Sequence, residues 1–95
     1  MSTVPSPAPV AVTGTDVERI GELRETIDAC DAEIIALVQR RLAISREIGT
    51  LRAASGGTRL NLSREQQVLD RFRGALGADG AALGMLLLRQ GRGLL

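Results

Sequence analysis

Arg41 stands among residues of another kind. Counted every seven residues along the chain, it falls in a column whose other members are Ile20, Ile27, Ile34 and Ile48. A guanidinium there must pair with a neighbouring carboxylate, reach solvent along its own stem, or bind an anion, because a buried unpaired charge is very costly. Arg52 follows eleven residues later, about 20° away around a helix and about 16 Å along it, so the two side chains point the same way. Two cations on one face suggest an anionic ligand. Arg64 and Glu65 open a later helix, where the helix dipole favours Glu and disfavours Arg. Dipole complementarity, or a surface pair with Arg64, would by itself account for that Glu. Arg24 lies 28 residues before Arg52, about 42 Å away on one helix, so a small molecule cannot touch both from a single chain. An antiparallel partner chain could bring in its own Arg24. On spacing alone the reading is a helical dimer with an Arg-lined pocket, its reaction unspecified.

Composition narrows the chemistry further. The 95 residues include 12 basic residues, all Arg, and 11 acidic ones, for a net charge of +1, with one Phe and no Trp, Tyr or His. Near-cancelling charge and missing aromatics leave neither a phosphate-neutralising face nor a base-stacking platform, so nucleic acid is not expected as a partner. Without His and with one Cys, the chain cannot assemble a zinc tetrahedron or a Ser/His or Cys/His nucleophile pair, and no metal site is expected. Cys30 sits in an apolar column and is expected to be a buried core thiol, which suits a reducing compartment.

The elements that must position these residues follow from periodicity. Residues 1–15 contain Pro5, Pro7 and Pro9 and no basic residue, which predicts a disordered N-terminal tail with no secretory signal. From Asp16, a plausible N-cap, apolar residues recur at steps of three and four to Ala54. The second column of this pattern reads Leu23, Cys30, Leu37, Ile44 and Leu51, the apolar seam of a coiled-coil-like helix. Such a helix would be about 57 Å long, more than a compact chain of this size is wide, so its seam needs another chain to cover it. Ser55-Gly56-Gly57-Thr58 ends the helix, and the loop continues to about Leu62. Ser63 and Gln66 match a capping box that starts a second helix carrying Val68, Leu69, Phe72 and Leu76. A turn at Gly77-Ala78-Asp79-Gly80, with Asp79 as the candidate N-cap, leads to a short apolar third helix ending near Gly91 and a tail to Leu95. The fold class expected is all-α. No stretch is apolar enough for a membrane span, and a cytoplasmic protein is expected.

These residues also carry a resemblance. Leu23-Arg24-Glu25-Thr26-Ile27-Asp28, Asp31, Ile34, Leu37, Arg40-Arg41, Ile48-Gly49, the run Ala54 to Leu60 and Ser63-Arg64-Glu65 resemble an all-helical chorismate mutase. The loop and the ending Leu87-Leu88-Arg89-Gln90-Gly91-Arg92-Gly93 are most similar to the short intracellular actinobacterial branch. The resemblance implies a type II chorismate mutase domain over 16–95, built as an intertwined homodimer of three-helix subunits with one long N-terminal helix. It implies rearrangement of chorismate to prephenate, which breaks a carbon–oxygen bond and forms a carbon–carbon bond with no nucleophile, cofactor or proton transfer. Carried over by position, Arg24 reaches a substrate carboxylate across the dimer and Arg41 binds a carboxylate from its own chain. Arg52 faces the ether oxygen, Arg64 helps hold the anion, and Glu65 accepts the substrate hydroxyl. Arg41, Arg52 and Glu65 are thus the expected catalytic residues. Asn61 stands where well-studied members carry an acidic residue near that hydroxyl, and its amide can still hydrogen-bond there. The third helix is expected to add a donor, with Gln90 and Arg92 as the two candidates. The same branch implies weak activity alone and stimulation by 3-deoxy-D-arabino-heptulosonate 7-phosphate synthase. The rival reading is a non-catalytic helical dimerisation or regulatory module that binds a shikimate-pathway enzyme.

Overall fold

The computed structural model describes residues 14–57 and 61–92. These form three helices, α1 (Gly14–Ala54), α2 (Leu62–Leu76) and α3 (Ala78–Arg92), with no strand among the described residues. The expected all-α, three-helix subunit with one long N-terminal helix is what is found. Residues 1–13 of the expected tail, 58–60 of the loop and 93–95 at the end lie outside the described residues. No described helix is long and apolar enough to cross a membrane.

The chain divides into two compact units, the first ending at Ile34 and the second beginning at Ile35. Of the first unit only helix is described, from Gly14 onward. The helix begins at Gly14, two residues ahead of the expected cap, so Asp16 lies in the first turn, where its charge suits the helix dipole, and is not the N-cap. A helix with nothing of its own unit packed on it leaves its apolar stripe open. Ile20, Leu23 and Ile27 are exposed, Ile27 by 57%. Cys30 is likewise exposed, which corrects the expectation of a buried thiol.

In the second unit α1 ends in a Schellman motif. Gly56 takes the left-handed conformation (φ 81°) that glycine adopts without strain; its N–H donates to the Ala53 carbonyl at 3.2 Å, and the Gly57 N–H donates to the Arg52 carbonyl at 2.8 Å. The seam of this part of α1 is also open, with Ile44, Ile48 and Leu51 exposed. The start of α2 differs from expectation. Asn61 is the N-cap, its side-chain oxygen accepting from the Arg64 N–H at 3.0 Å, while Ser63 lies inside the helix. Asn caps as well as Ser does, and placing the cap at 61 leaves Gln66 free to donate to Asp70 at 2.9 Å in place of closing a capping box.

Gly77 is the whole connection between α2 and α3. At φ 80° it donates to the Arg73 carbonyl at 2.7 Å to close α2, and its own carbonyl accepts from Gly80 and Ala81 to open α3. Asp79 therefore lies in the first turn of α3 and is not its cap. The two helices then approach very closely, since a Cβ built on Gly80 would stand 2.2 Å from the Phe72 carbonyl oxygen. Gly80, Gly84 and Leu87 form one buried stripe of α3, and Val68 faces inward from α2, only 3% exposed. Close backbone approach through glycines and a few buried aliphatic side chains holds the pair.

Candidate active site

Positions 41, 45, 49 and 52 recur at steps of four, four and three, so Arg41, Ser45, Gly49 and Arg52 share one face of α1. Small side chains lie between the two arginines, leaving a trough with a cation at each end. Both arginines are half-buried. Among the described residues Arg41 meets no carboxylate, which removes the simplest structural reason for its place in the isoleucine column. The Schellman bond from the Gly57 N–H to the Arg52 carbonyl fixes the backbone from which the second cation projects.

The capped N-terminus of α2 places Asn61, Arg64 and Glu65 beside this trough, and the last turn of α3 closes it. Together they surround a cavity of about 630 Å³, the size of a small-molecule site. Arg41, Arg46, Arg52, Asn61, Arg64, Glu65 and Arg92 supply its charged and amide groups, with Ser45 and Thr50 adding hydroxyls and Val68 and Leu88 an apolar wall. Five arginines against one glutamate give the cavity a positive balance, which suits an anionic ligand. Guanidinium groups grip carboxylates with paired hydrogen bonds and keep their charge at physiological pH.

Glu65 and Arg92 form an ion pair between the first turn of α2 and the last turn of α3, each side chain 18% exposed. Of the two expected donors from α3, Arg92 thus lines the cavity, whereas Gln90 is exposed and is not among the lining residues. Asn61 has its side-chain oxygen engaged in the cap, which leaves its NH2 group as the donor available to a ligand. Arg24 is exposed in the first unit, and the lining residues all belong to the second. Arg46 and Thr50 were not anticipated; they lie beside the Arg41–Arg52 face and carry no pattern of their own. Ser45 and Gly49 had a legible signal, being small residues between two cations on one face.

Comparison with known proteins agrees with this geometry. The family described as chorismate mutase type II matches residues 23–85. The intracellular chorismate mutase of Mycolicibacterium smegmatis is 56% identical over 79 residues, spanning 83% of this chain and 76% of that protein. The intracellular chorismate mutase of Mycobacterium tuberculosis (strain H37Rv) is 57% identical over 79 residues, spanning 83% of this chain and 74% of its own length. A chain from the non-covalent complex of DAHP synthase and chorismate mutase from Corynebacterium glutamicum, with bound transition state analog, superposes with a TM-score of 0.79 at 47% identity. That match covers 85% of this chain and 96% of the other. With an arginine-lined cavity on an all-helical subunit and relatives of this similarity, the chain belongs to the chorismate mutase type II family.

Proposed function

We propose that the cavity between the second half of α1, the start of α2 and the end of α3 is where this chorismate mutase rearranges chorismate to prephenate. The observation that carries the assignment is the convergence of Arg41, Arg52, Arg64 and Glu65 on one cavity from two helices. A dimerisation module has no need of that convergence, and the rival reading is not favoured.

The reaction moves no proton and uses no nucleophile, so the absence of His does not hinder it. Catalysis consists of holding a flexible dianion in its compact reactive shape and placing fixed positive charge where the ether oxygen gains electron density. Arg41 and Arg64 hold carboxylate charge, Arg52 faces the ether oxygen, and Glu65 accepts the substrate hydroxyl, with Asn61 donating nearby. Arg24 enters from a second copy of the chain. The open isoleucine and leucine seam of α1 supports such a homodimer, because exposed apolar side chains at heptad spacing are stabilised by a partner helix. The names of the mycobacterial relatives support a cytoplasmic location.

The Corynebacterium complex supports a further partner, DAHP synthase, which is 3-deoxy-D-arabino-heptulosonate 7-phosphate synthase. Synthase binding that favours the competent arrangement of the cavity would shift the population toward it. The test follows chorismate absorbance with the purified protein alone and then with the cognate synthase. Conversion by the protein alone, or only after synthase is added while the synthase alone is inactive, supports the assignment. No conversion in either, from a folded protein, overturns it.

A further inference from the structure

We infer that Arg92 is a positioning residue for the rearrangement, holding the Glu65 carboxylate by one oxygen so that the other faces the substrate hydroxyl; this rests on the reading of the cavity given above. Three observations support it. The other two ion pairs among the described residues, Arg19–Glu22 and Asp70–Arg73, each join residues three apart on an exposed helix face. Such pairs contribute little. Arg92–Glu65 instead joins the ends of two helices, with both side chains only 18% exposed. Second, the Arg92 Nη1 donates to Glu65 Oε2, and Oε1 has no partner among the described residues. One lobe of the carboxylate is fixed and the other is presented. Third, the backbone beside Arg92 is seated against α1, because a Cβ built on Gly91 would stand 2.9 Å from the Ser45 Oγ and 3.1 Å from its Cβ.

Electrostatics argue the same way. A bare carboxylate in a site for a dianion would repel it, whereas a carboxylate already paired with a guanidinium offers an acceptor at little net charge. Arg92 acts on the substrate through Glu65, which distinguishes it from the arginines that meet the carboxylates directly.

The experiment measures kcat and KM for chorismate with the full chain and with Arg92→Gln, Arg92→Lys, Glu65→Gln and the Arg92→Gln/Glu65→Gln double variant, each checked by thermal melting. Arg92→Gln is expected to lower kcat about ten- to hundredfold with a smaller change in KM, the scale of a misplaced contact group. Arg92→Lys is expected to recover part of the loss; it also carries the comparison if Arg92→Gln melts early. The double variant is expected to be no slower than Glu65→Gln, since residues that act as one unit are not additive. A kcat for Arg92→Gln within twofold of the unsubstituted chain, or above it, overturns the inference, and so does a multiplicative loss in the double variant. If Arg52→Ala is crippled while Arg92→Gln is not, the inference falls and the cavity assignment stands; an inactive unsubstituted chain, with and without synthase, takes both down.

Discussion

The Gly57 amide donates to the Arg52 carbonyl at 2.8 Å, so the residue proposed to face the ether oxygen is also the one on which α1 closes. Helical bonds hold its backbone from behind and the Schellman bonds hold it from ahead. A guanidinium on a backbone clamped in this way has only its own side-chain torsions to settle before it meets developing negative charge, which is the sense in which preorganisation lowers a barrier.

Arg52→Ala is therefore expected to leave helicity and melting temperature unchanged while lowering turnover by roughly two to three orders of magnitude, the scale of losing one preorganised contact. Circular dichroism and a chorismate assay on the same sample check it. Undiminished turnover would remove Arg52 from the reaction.

Arg24→Ala should damage the site of the neighbouring subunit and spare its own. Mixing inactive Arg24→Ala with inactive Arg52→Ala is then expected to restore a minority of intact sites as subunits exchange. Absence of recovery, after exchange has been verified by mass tagging, would count against a site shared between two chains.

Asn61 has two separable duties. Asn61→Ala is expected to cost about 1 kcal/mol by uncapping α2, whereas Asn61→Ser keeps a capping oxygen and should cost only a few tenths. Both remove the NH2 donor, so both should raise KM if that group meets the substrate. Denaturant titration beside Michaelis kinetics separates the two effects.

Gly80→Ala is expected to destabilise by about 3 kcal/mol, toward the upper end of overpacking costs, because its Cβ would meet the Phe72 carbonyl oxygen at 2.2 Å. Gly74→Ala, with nothing within 4 Å of the added atom, should instead stabilise α2 by roughly 0.5–1 kcal/mol through helix propensity. Urea midpoints of opposite sign check the pair.

Much of the fold was legible because the seam from Ile20 to Leu51 repeats for nearly five heptads, and so sustained a pattern admits one reading. What escaped were the helix starts. Asn61 and Ser63 are equally able caps two residues apart, and only the folded backbone chooses Asn61. Asp79 reads as a cap until the close approach of Gly80 to Phe72 shows that a one-residue joint is already enough. Cys30 departs from expectation for another reason, since column membership predicts burial only when something covers the column. Within the cavity, Arg41, Arg52, Arg64 and Glu65 could be singled out by type and spacing. Choosing Arg92 over Gln90 required knowing where α3 begins.

That last dependence gives the Gly77 joint a meaning beyond chain reversal. With a single residue between them, α2 and α3 are locked in phase, and every side chain of α3 points where the length of the joint dictates. One residue inserted there and absorbed into the helix would rotate α3 by about 100° and advance it about 1.5 Å, swinging Arg92 off Glu65 and lifting Gly91 from Ser45. The site is thus tuned by an integer, and a deletion or insertion at a glycine outside the cavity would detune it as surely as removing a charge.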